Sequence, residues 1–417
     1  MLNPVAGNIL SFLLLRGWCM AGIVGESSLI TPVIGTYIGI KLLLFVGVNL
    51  QFQERSVLKK VACQIVRNCL RVRENDMVTI NTWHHTIDLA EELAFECYKA
   101  GAVPLITLMT DNLWYRMMNE LPAENLAKTP LHVLKSLDGE TVCINIHGPE
   151  APPSPDTLKT ESMKAIREAY KPIGDKERKL RIKVADVYLG KVTPQRAKIY
   201  GLNYEKWRSM MLEALAVDYD KIRDLGIEIA KILENADEVR IISDLGTDLR
   251  FRVSDRKARV EDGVIDDRDV EMGDTFTLLP AGMVEMAPIE NTANGVVVFD
   301  TPQLSLGKSI KGMKWVFENG RLVNVEAEEN LEIFMRFYEE MTGNKDRIGR
   351  FIVGLNPAIK PYGILTELAL GTVSIGIGYN EDLGGKNKGT AYYNATITKP
   401  TVEVDGETVV KNGKLLL

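Results

Sequence analysis

The stretch MVTINTWHHTIDLAEELAFECYKAGAVPLITL, residues 77–108, decides the fold class. Met77 to Thr82 reads as a short strand. Ile87 to Ala100 reads as a helix closed by Gly101, and Val103 to Leu108 as a second strand. A strand, a helix and a strand in close succession form the unit from which parallel, helix-covered sheets are built. Upstream, Val57, Val61, Ile65, Cys69 and Leu70 recur at helical spacing, so Arg55 to Leu70 is expected to be an amphipathic helix. Downstream, Thr141 to Ile146 is a third strand.

The same texture carries the chain to about residue 235. Pro149 to Pro155, with four prolines, is a loop, and Glu177 to Lys183 reads as a basic, solvated segment. Two helices follow, Tyr204–Leu215 and Tyr219–Leu233, the second lined by Ile222, Leu225, Ile229, Ile232 and Leu233. From Ala236 short strands dominate: Val239–Ile242, Asp248–Val253, Thr275–Leu279, Val296–Phe299, Phe351–Val353 and Thr372–Ile377. One helix, Ala327–Glu340, interrupts them. Val404-Asp405-Gly406-Glu407 and Lys411-Asn412-Gly413-Lys414 mark tight turns. The expected class is α/β: an N-terminal α/β domain with a helix-covered sheet over 53–235, then a C-terminal β-rich α+β domain over 236–417.

Residues 1–52 form an apolar extension of different character. From Ser27 to Leu50 only Lys41 is charged, which is long enough to span a bilayer, but Pro32, Gly35, Gly39, Gly47 and Asn49 interrupt it. Ile9 to Leu15 has the length of a signal-peptide core, with no small-residue cleavage site directly after it. A membrane anchor, a packed extension and upstream sequence translated from a mis-set start all remain open. Membrane contact is expected only through this segment. The net charge of −6, without a polybasic run, argues against a nucleic-acid binder. Five cysteines (Cys19, Cys63, Cys69, Cys97, Cys143) form no C-x-x-C pair, which suggests free thiols and a cytoplasmic location, with membrane tethering as the alternative.

Histidine is confined to the first part of the chain, at His84, His85, His132 and His147. His84-His85 follows a strand and opens a helix, where ligands of α/β folds often bind, but it reads as a polar loop pair. The glycine-rich run Gly384–Gly389 precedes a strand and lacks a phosphate-loop pattern, so it reads as a long turn. No G-x-S-x-G motif is present. Glu285, Glu290, Asp300, Glu367, Glu381 and Asp382 gather in the second domain, where paired carboxylates do acid–base work or hold hard cations.

The order of several short motifs adds to this. Gly246-Thr247-Asp248-Leu249 is followed by Leu279-Pro280-Ala281-Gly282-Met283-Val284, Ala287-Pro288 and Asn294-Gly295. Phe317-Glu318-Asn319-Gly320-Arg321, Arg347-Ile348-Gly349-Arg350, Ser374-Ile375-Gly376-Ile377-Gly378 and the segment Gly384–Asn394 come later. This succession is similar to the C-terminal domain of the aminopeptidase T family, which includes leucyl aminopeptidases and aminopeptidase II-like metallo-exopeptidases. Glu74–Thr82 and Ala100-Gly101-Ala102-Val103-Pro104 resemble its N-terminal domain, so the resemblance covers roughly 53–417.

The resemblance implies homodimers and two divalent ions, zinc, cobalt or similar. Two glutamates, two histidines and an aspartate hold these ions, which position a water and polarise the scissile carbonyl. Carried over by motif, the first glutamate falls on Met283, after Pro-x-Gly, and the second on Arg350, after Ile-Gly. The first histidine falls on Ser374, and the closing histidine and aspartate on Tyr392 and Asn394. None of these five is a good ligand for a hydrolytic metal pair, so no metal is expected there. The expectation is a non-catalytic binding or regulatory relative, or an enzyme of altered chemistry using Glu285, Glu381 and Tyr392. A peptide-like ligand suits either. A working metal-dependent aminopeptidase is the alternative. Arg350 is expected to pair with Glu285, Glu290 or Glu381, because a buried guanidinium needs an anionic partner.

Overall fold

The computed structural model describes residues 55–153 and 159–416. The apolar extension and its three readings lie outside the described residues. Among the described residues no helix is long and apolar enough to cross a membrane.

The N-terminal part is built on a five-stranded parallel sheet in the order Val103–Met109, Met77–Trp83, Val142–Ile146, Lys183–Val187, Phe276–Leu279. Helix Ile87–Lys99 buries Leu89, Leu93 and Cys97. Residues 55–63 are helical and widen into the π turn Gln64–Cys69, which buries Ile65, Val66 and Cys69. The strand–helix–strand unit read from 77–108 is therefore present, as is the helix-covered parallel sheet.

Three features depart from the sequence expectation. Glu177 to Lys183, read as a basic, solvated segment, is exposed over Arg178–Arg181, but it forms the end of the helix Thr160–Leu180, a left-handed residue at Arg181, and the start of a strand. Only Ser162, Ala169 and Ile173 of that helix are buried, and Pro172 lies inside it, so its apolar period is faint. Helix Asp111–Glu120, capped by the Thr110 hydroxyl, buries only Met118 and is faint for the same reason. The third departure is long-range. Phe276–Leu279, expected in the C-terminal domain, is the edge strand of the N-terminal sheet, and residues Val57–Leu417 form one compact unit.

The rest is β-rich. An eight-stranded sheet runs Arg321–Glu326, Lys314–Glu318, Asn294–Val298, Asp248–Arg252, Glu238–Ile242, Thr401–Val404, Glu407–Lys411, Lys414–Leu415. Its last hairpins turn at Asp405-Gly406 and Asn412-Gly413, where all four residues have positive φ. Trp315 on this sheet packs edge-on against Phe299, with centroids 4.8 Å apart, and meets Phe334 of helix Leu331–Glu340.

A second antiparallel sheet, of five strands, positions the site. Its order is Tyr392–Ile397, Val373–Gly378, Ile348–Gly354, Met283–Met286, Ala258–Glu261. One face is apolar: Val260, Val284, Phe351, Val353, Val373, Ile375 and Ala395 follow one another across the strands. Helix Tyr219–Glu234 lies on this face. It comes so close at Gly226 that a Cβ there would stand 2.4 Å from Val260 Cγ1.

Candidate functional site: a polar face held by two guanidinium groups

Residues directly opposite on neighbouring antiparallel strands point to the same face, and alternate residues share it. Arg350 stands opposite Gly376, which stands opposite Asn394. Ile352 stands opposite both Ser374 and Glu285, and Glu285 opposite Arg259. Met283 stands opposite Gly354 and Glu261, and Tyr392 opposite Gly378. Met283, Arg350, Ser374, Tyr392 and Asn394 thus share one face of one sheet, the face away from helix Tyr219–Glu234.

Local geometry explains how each arrives there. The Leu279–Gly282 turn carries the chain from the parallel sheet into the antiparallel one, with Gly282 at φ +129°. A Cβ on Gly282 would lie 3.0 Å from the Asn356 amide nitrogen. Met283 opens the strand that follows. Arg350 reaches the polar face through a bulge: the register shifts between Ile348 and Arg350, so Ile348 faces Ile377 on the apolar side while Arg350 faces Gly376. Gly376 makes room for its neighbours, since a Cβ there would lie 2.1 Å from Asn394 Oδ1 and 3.0 Å from Arg350 Cβ.

An ion-pair network fills the centre of this face. Arg350 is 1% exposed and Glu285 likewise. Arg350 Nη1 donates to Glu285 Oε2 at 2.6 Å, and Nη2 to Asp382 Oδ2 at 2.5 Å. Its Cζ sits 3.8 Å above the Tyr392 ring centroid. Arg259, on the edge strand, binds the other oxygen of Glu285, Oε1, through both Nε and Nη2. It also reaches Glu261 at 2.8 Å and Asp382 at 3.7 Å. Burial alone would lower the Arg350 pKa, but Glu285 and Asp382 outweigh it and the net shift is upward. Arg259 shifts upward in the same way, against its own burial. Removal from water pushes the Glu261 carboxyl up to about 7; Arg259 opposes this, and Glu285, Asp274 and Asp262 add to it. Away from the charges, Ser374 is fully buried and its hydroxyl meets Thr396 Oγ1 at 2.8 Å.

The proposed partners of Arg350 sort differently from expectation. Glu285 is a partner. Glu381 is not: it opens the turn Glu381–Leu383 as an exposed residue, and its neighbour Asp382 makes the contact instead. Glu290 belongs to Arg256, at 2.6 Å, and accepts the Lys386 backbone amide at 2.6 Å. The glycine-rich turn 384–389 therefore grips an internal carboxylate. Arg259 was not singled out from the sequence, because the strand Ala258–Glu261 is short and half-buried throughout.

Part of the N-terminal sheet borders this region. His147 Nε2 lies 2.9 Å from Asp186 Oδ2, and the His147 ring rests 4.6 Å from that of Tyr188. Burial pushes the Tyr188 phenol up to about 12, with Asp186, Glu367 and Tyr392 adding to the shift. Lys191, 4.3 Å above the Tyr188 ring, is lowered to about 8 by burial, with Arg196 adding and Asp186 opposing.

Residues 54–367 match the family described as thermophilic metalloprotease (M29). The chain belongs to the M29 family. Wild-type AmpT from Thermus thermophilus has the same M29 fold as this chain, with a TM-score of 0.68 at 18% identity over 87% of this chain and 99% of that one. The 2,5-dihydroxypyridine dioxygenase from Pseudomonas putida KT2440 is similar at a TM-score of 0.54 and 14% identity, over 87% of this chain and 96% of that one. These identities carry fold alone. One neighbour is named as a dioxygenase, so the M29 architecture is not tied to a single chemistry. No curated protein sequence matches the chain.

Proposed function

We propose that this chain is an M29-family relative that has exchanged its metal pair for two arginines, and that it binds a peptide-like ligand without hydrolysing it. The observation that carries this reading is the Arg350–Glu285 pair, 2.6 Å long and 1% exposed at the centre of the face. A fixed guanidinium there repels divalent cations, and both oxygens of Glu285 are already bound by arginine. The donors at the five motif positions are a thioether, a guanidinium, a hydroxyl, a phenol and an amide, which do not suit a hydrolytic ion pair. The residues present therefore do not fit two metals.

The same geometry weighs against altered catalysis by Glu285, Glu381 and Tyr392. Glu285 is locked between two guanidiniums and is no free base. Glu381 is exposed on its turn. Tyr392, 44% exposed and backed by Arg350, offers a ligand a half-open aromatic platform over a cation.

The experiment is a peptidase assay with zinc, cobalt and manganese added separately to short peptides. No metal-stimulated release of free amino acid is expected. Turnover abolished by a chelator would establish a working metal-dependent aminopeptidase instead.

A further inference from the structure

The strands Met77–Trp83 and Val103–Met109 lie side by side and parallel, so their C-terminal ends open on the same edge of the sheet, where ligands of such folds gather. The first strand runs into the turn His84–Thr86, and the second into Thr110 and the helix Asp111–Glu120. Among the described residues, His84, His85 and Asp111 each bring a ligand-capable atom within 4.8 Å of the others.

Two of those side chains are held so that a lone pair is left over. His85 has Nε2 2.9 Å from the Gly190 carbonyl. A carbonyl only accepts, so Nε2 carries the proton and Nδ1 the lone pair. Nδ1 is buried with no partner among the described residues. Asp111 Oδ2 accepts the Glu150 amide at 2.9 Å, while Oδ1 is buried and likewise without a partner. Two acceptors cannot bond to each other, and burying both unsatisfied is costly unless a donor or a cation lies between them. An imidazole whose other nitrogen donates to a backbone carbonyl is the arrangement in which histidine ligates metals.

We infer that His85 Nδ1, Asp111 Oδ1 and an imidazole nitrogen of His84 bind one divalent transition ion. Two imidazoles and a carboxylate suit zinc and its neighbours rather than magnesium or calcium. Donors around tetrahedral zinc stand about 3.3 Å apart, so the three side chains, whose ligand atoms lie within 4.8 Å of one another, draw together when the ion binds. Three protein ligands leave a fourth position for water. This site lies on the parallel sheet and is independent of whether the antiparallel sheet holds metal.

The test is calorimetric titration of the full chain with zinc, and of its absorption with cobalt(II). One ion per chain is expected. His85→Ala and Asp111→Asn should each weaken binding by at least about tenfold, while His132→Ala, at an exposed position outside the cluster, leaves it unchanged. Zinc should raise the melting temperature of the wild type but not of His85→Ala. Circular dichroism verifies folding, and His84→Ala, at an exposed position, keeps the test open should the other two variants unfold. No binding by the folded wild type, as when a water bridges the two acceptors, would overturn the inference. So would binding unchanged in the His84, His85 and Asp111 variants, or binding lost in His132→Ala alone.

Discussion

Arg350 is a full charge almost wholly withdrawn from water, and its surroundings differ from those of its partner. Glu285 is shared between Arg350 and Arg259, whereas Arg350 depends on Glu285 and the more exposed Asp382. Removing one partner of a buried pair costs about 3–5 kcal/mol when the other charge is stranded. Glu285→Gln should therefore destabilise the protein by about 3 kcal/mol in urea unfolding. Arg350→Met, which leaves Glu285 bound by Arg259, should cost clearly less. Equal losses would show that the two arginines do not share the carboxylate.

Glu261 supplies a pH dependence. Its folded value, about 7, lies above that of an ordinary carboxyl, so the folded protein holds this proton more tightly than the unfolded chain does. The contribution is fully present below about pH 4.5 and is lost as pH rises through 7. Stability should fall across that window by up to about 3 kcal/mol, and Glu261→Gln should flatten the fall when unfolding is measured at pH 5 and pH 8. Met283 and Arg350 stand out in the sequence because each directly follows a glycine, Gly282 and Gly349. Of the partners, Glu285 was expected, but the roles of Arg259 and Asp382 were hidden, because they sit in a short strand and a one-turn helix that leave no periodic signal.

At the scale of elements, the face depends on glycine between two large side chains. A methyl at Gly376 would meet Asn394 Oδ1 at 2.1 Å and Arg350 Cβ at 3.0 Å. Gly376→Ala should cost about 1–3 kcal/mol, as overpacking does. Asn394→Ala in the same chain should recover part of that loss, because it removes the nearer clash; a strictly additive double-mutant cycle would contradict this packing. The strands around 351–353 and 372–377 were legible in the sequence from their β-branched runs, but the bulge that turns Arg350 to the polar face was not. A bulge is set by pairing with the neighbouring strand, which a single strand's sequence does not carry.

At the scale of the molecule, alternation of strand and helix over 77–108 was enough to reveal the parallel sheet, and the succession of short strands the β-rich remainder. The capture of Phe276–Leu279 by the first sheet was hidden, since its partner Lys183–Val187 lies far away in sequence and neither strand names the other. The family resemblance implies a homodimer, and light scattering at micromolar concentration should give twice the chain mass; a monomer mass would refute it. What occupies the polar face can be read by diffraction at the zinc absorption edge from crystals grown with excess zinc. No anomalous peak is expected within coordinating distance of Glu285, Asp382 or the five motif positions, with Arg350 still bound to Glu285. A pair of peaks on that face, with Arg350 displaced, would contradict it.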